Sequence, residues 1–372
     1  MNYSETKSVY DSGLFQRHGS LMAQLDMELT ERCNNNCIHC YINLPENDRH
    51  ALDNELSTDD IKDILKQAEK LGCLAVRFTG GEPLVKKDFK DIYLFARQLG
   101  LKVVLFTNAS LIDDEMIRLF SHIPPLKEIE ITVYGMTQSS YEAVSGVKGS
   151  FKKAFEGIRR LNAAKIPFIV KGALLSSGAH EQKAFETFAD HIPWMKGKPD
   201  NIVLLDLSGR RDLKKNDKIR KLRISPDEHV RRLMNNGKKL IEEGRRFQKT
   251  FRVAPDNGDR LFTCGAGKNL CVDAYGNLQA CLLLRHPDTV YDLKKGTLKD
   301  AFQNFFPELL SKKAENPEFI KRCGKCELRG FCEQCPAKSW MEHGTLDTPV
   351  EYYCRMAHAE AEMTGLDKDE IG

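Results

Sequence analysis

The sequence predicts an α/β fold: an open, partial (β/α)6 barrel over residues 22–225, followed by a small cysteine-rich α+β domain over residues 262–356. Three observations predict it. Short apolar runs alternate with amphipathic helical stretches across residues 22–205, the pattern of a parallel sheet covered by helices. Six such units are two short of a closed eight-fold barrel. Turn and loop signals of possible chemical interest follow strands, so they meet at one rim. Eleven of the twelve cysteines fall in two groups, residues 33–40 and 264–354, with only Cys73 between.

Residues 1–21 show no periodic element and read as an N-terminal leader. Residues 22–29 alternate apolar and polar side chains, which predicts a first strand entering the first cysteine group. Ser57 precedes a run in which Ile61, Ile64, Leu65, Ala68 and Leu71 recur at helical spacing, and Asp60 sits where a capping box needs it. Gly72 ends that helix. A strand at residues 74–79 leads into Gly80-Gly81-Glu82-Pro83, and a helix near 88–99 precedes a strand at 103–106 and the turn Thr107-Asn108. A helix at 113–120, a strand at 128–134, a helix capped by Ser150 and a strand at 168–171 continue the alternation. Residues 201–205 read as the sixth strand. Residues 209–252 are charge-rich and read as a solvated linker with the exposed face of a helix from about Pro226, or as a docking surface for an acidic peptide. Residues 226–261 form a helical connector, and 357–372 a C-terminal tail.

A chain of 372 residues with net charge +3 carries no global signal for a polyanion, so nucleic acid is not an expected partner. The first twenty residues lack a secretory apolar core, and no run is long enough to span a bilayer. The expected location is the reducing cytoplasm, with no membrane partner. Twelve cysteines there point to metal or cluster ligation and away from disulfides.

Cys33, Cys37 and Cys40 are spaced C-x3-C-x2-C. Three thiolates neither close a tetrahedral zinc site nor saturate a cubane iron-sulfur cluster, so one position is left open. Spacing alone also admits a zinc knuckle completed by His39, or unrelated core cysteines. The motif resembles the signature of the radical S-adenosylmethionine (radical SAM) enzymes. That resemblance covers roughly residues 22–205 and implies a partial radical SAM barrel. It also implies a [4Fe-4S] cluster whose open iron chelates S-adenosyl-L-methionine. Gly80-Gly81-Glu82-Pro83 resembles the family's GGEP element. By the same resemblance Gly80, Gly81, Glu82, Asn108, Thr132 and Lys171 are cofactor-binding candidates, and His39 packs beside the cofactor. Cys73, at the start of its strand, is expected to be a small core residue.

Cys264, Cys271 and Cys281, then Cys323, Cys326, Cys332 and Cys335, then Cys354, resemble the SPASM auxiliary-cluster domain. Only two residues, Glu333 and Gln334, precede Cys335 where that family usually has three. The family's interleaved pattern implies two auxiliary [4Fe-4S] clusters, one on Cys264, Cys271, Cys281 and Cys335, the other on Cys323, Cys326, Cys332 and Cys354. Zinc is the alternative for the C-x2-C pairs. The implied activity is hydrogen abstraction from a residue of a ribosomally made peptide or a protein, giving a crosslink, an epimer or an oxidised side chain. A ferredoxin or flavodoxin is the implied reductant. Alternatives are the same chemistry on a small molecule or cofactor precursor, and a non-catalytic iron-sulfur electron carrier or zinc-binding protein. Anaerobic sulfatase maturases carry an Asp directly after the cysteine corresponding to Cys281. Here that residue is Leu282, so sulfatase maturation is not expected.

Overall fold

A computed structural model describes residues 22–40, 42, 44–172, 181–195, 213–235, 259–264, 266–267 and 269–363. The frame is one eight-stranded sheet. Its first five strands in chain order are β1 (Gln24–Thr30), β2 (Ala75–Gly80), β3 (Lys102–Thr107), β4 (Ile129–Val133) and β5 (Phe168–Gly172). They lie side by side in that order, and every pair is parallel. Their carboxyl ends therefore share one rim. The expected sixth strand at residues 201–205 lies outside the described residues.

Between the strands run α1 (Arg49–Asn54), α2 (Thr58–Lys70), α3 (Phe89–Gln98), α4 (Asp114–His122), α5 (Gln138–Ser145), α6 (Ser150–Ala163) and α7 (Gln182–Asp190). The expected capping box of α2 is present, with Ser57 and Asp60 satisfying each other's backbone N–H groups. The cap of α6 differs from expectation. Gly149 occupies it at φ +83°, and Ser150 is the first helical residue, its hydroxyl donating to Val147 O at 2.7 Å. A left-handed cap excludes most side chains, so the residue before Ser150 serves. Helix α5 has no counterpart among the expected elements.

Strand alternation sends two sets of side chains to opposite faces. Leu25, Met27, Val76, Phe78, Val103, Leu105, Ile129, Ile131, Phe168 and Val170 join the buried stripes of the helices in one core. The other face is polar. Arg77 donates to Asp26 at 2.8 Å and lies over the Phe106 ring at 4.8 Å, while the Lys171 ammonium covers the same ring at 4.8 Å and pairs with Glu130. Cys73 is buried in the core as expected, its thiol pushed up to about 11 by burial.

The C-terminal region contributes three further strands to the same sheet. Strand β6 (Asn269–Val272) pairs parallel with β1, Leu25 opposite Leu270, and β7 (Asn277–Gln279) and β8 (Val290–Asp292) follow as an antiparallel meander. The core runs on without a break into Leu270, Val272, Leu278, Phe306 and Phe319. Two helices, α8 (Leu213–Leu222) and α9 (Pro226–Asn235), occupy part of the charge-rich stretch. The start of α9 agrees with expectation. Of the basic cluster, Arg223 is structural: it pairs with Glu342 at 2.6 Å with both side chains buried, and stacks on Tyr352 at 4.4 Å. Among the described residues no helix is long and apolar enough to cross a membrane.

Candidate active site at the strand rim

The first cysteine group leaves the end of β1 through a two-residue bridge, Arg32–Cys33 paired with Leu44–Pro45. Its backbone is pinned from the far side by α5. The amides of Asn36 and Ile38 donate to Ser145 O at 2.8 Å and Val144 O at 3.0 Å. Gly146 follows at φ +67°, and a Cβ there would stand 2.6 Å from Asn36 O. Helix α5 thus ends against the loop with no room for a side chain. Within the loop, Cys40 N donates to Cys37 O at 3.1 Å and Asn35 N reaches Cys33 Sγ at 3.4 Å. Cys33 and Cys37 are buried and Cys40 is half-buried.

These three thiols stand close enough to perturb one another. Burial raises the Cys33 thiol far above its ordinary range, with Glu82, Cys37 and Cys40 adding to the rise. Buried thiols with a carboxylate beside them stay protonated unless a cation reverses the local field. Three soft sulfur donors in a nest tied by backbone hydrogen bonds fit an iron-sulfur cluster, and the chemistry of the set leaves a fourth metal position to something else. Tyr134 and Tyr141 back the loop in a T-shaped pair at 5.3 Å. Burial, and after it the Cys37 thiol, pushes both phenols up. The His39 ring packs against Tyr134 at 5.5 Å. Sequence reasoning missed both tyrosines.

Gly80 and Gly81 come to the same rim, and the need for glycine is specific. Gly80 adopts φ +129°, and a Cβ at Gly80 or Gly81 would stand 2.2 Å from Thr30 O or Arg32 O. Gly81 N donates to Thr30 O at 2.8 Å and Glu82 N to Arg32 O at 2.9 Å. The bare backbone thus docks onto the segment that presents Cys33.

Glu82 is buried, and its carboxylate accepts from Thr107 Oγ1 at 2.7 Å, Asn108 N at 2.8 Å and Leu84 N at 3.2 Å. Burial pushes it up to about 7, against the lowering effect of those hydrogen bonds. It joins the ends of β2 and β3. Asn108 donates to Asn34 Oδ1 at 2.9 Å, Asn34 donates to Ser110 Oγ at 2.8 Å, and Ser110 closes the ring onto Asn108 Oδ1 at 2.5 Å. Asn34 and Ser110 were not singled out in the sequence. Thr132 and Lys171 face each other across the β4–β5 register, and the Lys171 ammonium is engaged by Glu130.

A further buried hub supports the loop from below. Arg32 donates to Glu55 from Nε at 3.0 Å and from Nη2 at 3.1 Å, Lys86 stands 3.7 Å from the same carboxylate, and Thr30 donates to it as well.

The second cysteine group gathers into two sets. Cys323, Cys326, Cys332 and Cys354 are near neighbours: burial pushes Cys332 up to about 12 and Cys323 up to about 11, and thiols of the same set add to both. Cys264, Cys281 and Cys335 form the other, Cys335 being pushed up to about 12 by burial with the other two thiols contributing. Cys271 is wholly buried in β6, its Sγ 3.9 Å from Val272 O. All eight are soft sulfur donors that fit iron or zinc. Among the described residues the side chains do not close into a preformed metal cage of three or more His, Cys, Asp or Glu.

The sequence profile of the Radical SAM superfamily matches residues 27–186, a span holding the carboxyl half of β1, the first cysteine group, Gly80-Gly81-Glu82-Pro83 and strands β2 to β5. The chain is similar to the AdoMet-dependent heme synthase of Methanosarcina barkeri, 25% identical over 347 residues that span 88% of this chain and 94% of that protein. It is also similar to the mycofactocin maturase MftC of Mycobacterium tuberculosis, 28% identical over 350 residues, 90% and 83% of the two chains. Among solved structures, native anSMEcpe with bound AdoMet and Cp18Cys peptide has the same fold, with a TM-score of 0.61 at 16% identity over 92% of this chain and 97% of the other.

Proposed function

Because this chain belongs to the Radical SAM superfamily of enzymes, we propose that it removes a hydrogen atom from a residue of a ribosomally made peptide or a protein. The observation that carries the reading is the three-thiol nest of Cys33, Cys37 and Cys40, held at the rim by the end of α5 and by the Gly80-Gly81 backbone. A reduced cluster held there would supply one electron to S-adenosylmethionine, whose sulfonium bond would break to methionine and a 5′-deoxyadenosyl radical. The chain's own residues hold and orient. Cys33, Cys37 and Cys40 would ligate the cluster; the Gly80-Gly81 backbone and Glu82 would hold the methionine amine; Asn108, Thr132 and Lys171 would serve the ribose and carboxylate. Tyr134, Tyr141 and His39 exclude water beside the sulfurs. The peptide is supported by MftC being a maturase and by the peptide bound to anSMEcpe. The second reading, a tetrapyrrole or other small molecule, is supported by the heme synthase, which is matched over 94% of its own length.

Cys264, Cys271, Cys281 and Cys335, and Cys323, Cys326, Cys332 and Cys354, hold two auxiliary clusters in this proposal. Three cubane clusters require about twelve irons per chain, four in each. A reconstituted protein that is colourless and rich in zinc contradicts the assignment. The test of the site is anaerobic: with a strong reductant the loaded protein converts S-adenosylmethionine to 5′-deoxyadenosine, and the triple variant Cys33→Ala, Cys37→Ala, Cys40→Ala does not. Cleavage that survives in the triple variant ends the reading. Leu282 offers no carboxylate to accept a proton beside Cys281. A sulfatase-derived peptide is therefore expected to acquire no formylglycine, as read by mass spectrometry.

A further inference from the structure

Tyr134 is the first residue beyond β4, and its surroundings fix where its ring stands. The chain turns tightly at Gly135, where a Cβ would lie 2.3 Å from Ser140 Oγ and 2.7 Å from Tyr141 N, so the end of β4 is pressed onto the first turn of α5. The Tyr134 ring meets Tyr141 of the same helix at 5.3 Å and the His39 ring of the cysteine loop at 5.5 Å, and it packs with Ile38 against Val144 and Ile219. The other end of α5 holds the loop itself, through the bonds from Asn36 N and Ile38 N. One helix thus places both the tyrosine and the segment that carries Cys37. The Tyr134 hydroxyl is hydrogen-bonded to the Cys37 side chain, which is 4% exposed.

The direction of that hydrogen bond follows from chemistry. A cysteine that ligates iron has lost its proton and can only accept, whereas a phenol can donate. Burial holds the Tyr134 phenol well above its ordinary range, so it keeps its proton at neutral pH. We propose that Tyr134 acts through Cys37 as a positioning residue: its O–H donates to the Cys37 sulfur and makes the cluster at Cys33, Cys37 and Cys40 easier to reduce. This rests on the reading that those three cysteines hold an iron-sulfur cluster, and it goes beyond that reading. A hydrogen bond to a ligating sulfur draws off electron density, and the reduced form has one negative charge more to spread, so the bond stabilises the reduced form over the oxidised one. The low local dielectric of a buried sulfur strengthens the effect. Cys33 is served differently, by the backbone amide of Asn35 at 3.4 Å. The donor to Cys37 is a side chain, so the choice of residue at position 134 can set the potential.

The test is a reductive titration of the full chain, loaded anaerobically with iron and sulfide and followed by electron paramagnetic resonance. The signal of this cluster is the component that disappears in the triple variant Cys33→Ala, Cys37→Ala, Cys40→Ala. Tyr134→Phe keeps the ring contacts and loses only the hydroxyl. Its ratio of reduced to oxidised cluster at a fixed potential is expected to fall about tenfold, a shift of about 59 mV for one electron, with iron content at the wild-type value. Tyr134→4-fluorophenylalanine fills the space of the hydroxyl without offering a donor, and is expected to shift as far; it carries the comparison if the Phe variant loads poorly. Electron-nuclear double resonance of the reduced wild-type cluster should show a proton coupling that is lost in D2O and is missing from both variants. An unshifted potential, a wild-type potential restored by fluorine, or the same set of exchangeable couplings in all three proteins overturns the proposal. Loss of the cluster from both variants marks a structural role and overturns it too. The cluster reading fails separately. If the triple variant retains all the iron of the wild type, that reading falls; if it lacks about four irons while Tyr134→Phe titrates like the wild type, only the role of Tyr134 falls.

Discussion

At the residue scale the rim is assembled by close backbone contact, and glycine is what permits it. A Cβ on Gly81 would lie 2.2 Å from Arg32 O, closer than any side chain tolerates, and the atom it meets is backbone that cannot turn away. Gly81→Ala should therefore cost about 3 kcal/mol and displace Cys33. A thermal melt and the iron content after reconstitution check this; a variant with unchanged melting and full iron refutes it. That the first three cysteines would lie together at the rim was legible in the sequence, because eight residues of chain leave little room for them to separate. Gly80-Gly81-Glu82-Pro83 was legible as an element, but its reason was not: the expected need was close approach to a ligand, whereas the glycines first make room for Thr30 and Arg32. Asn34, Ser110, Tyr134 and Tyr141 were missed because each acquires its meaning from a partner far along the chain. The Asn34–Asn108 bond spans 74 positions, and no local pattern encodes it.

At the scale of elements, alternation of apolar and polar residues was enough to locate five strands, since each has one face in the core and one on the polar interior. It was not enough for α5, whose eight residues carry Ser139, Ser140 and Ser145 among few apolar positions. That helix is kept by its capping box at Thr137 and by the loop it holds. Helix α1 has a comparable task. The carboxylate of its C-terminal neighbour Glu55 meets Arg32, Lys86 and Thr30 together, with the Arg32 and Glu55 side chains almost fully buried. Removing that carboxylate deprives two buried cations of their shared partner, leaving Lys86 the weaker pull of Asp88. Glu55→Ala is expected to cost about 3–5 kcal/mol, while Glu55→Gln, which keeps the shape and one acceptor, should cost less. Denaturant midpoints of the two variants decide it. Equal midpoints contradict the view that charge compensation holds this segment beneath Cys33.

For the whole molecule, the expected division into a barrel and a following cysteine-rich domain is crossed by the sheet itself. Strand β6 lies on the free edge of β1, and Leu270, Val272 and Leu278 belong to the same core as Leu25 and Met27. A pairing between residues about 245 positions apart leaves no mark in local sequence. It bears on how the second cysteine group can be studied. A chain cut before residue 259 would expose β1 as an unpaired edge with its buried face uncovered, so loss of activity there would say nothing about electron flow. Single substitution is the usable route, and Cys354 is the residue to change. It is half-buried in the last described helix, Glu351–Met363, beside Cys323 and Cys332 and away from the β1–β6 seam. On the proposed assignment the eight cysteines would saturate two cubane clusters, and a saturated cluster can accept an electron from a radical product without a vacant site. Cys354→Ala is thus expected to keep far-ultraviolet circular dichroism and to leave one iron of that cluster without its thiolate, as three cysteines leave one open in the first group. It should continue to form 5′-deoxyadenosine while yielding much less modified product. If the clusters serve only to hold this loop-rich region together, product and 5′-deoxyadenosine fall together as the region loosens, and the ratio of the two stays at its wild-type value. A shift in that ratio separates electron transfer from support, because looser packing has no means of uncoupling hydrogen abstraction from completion of the product.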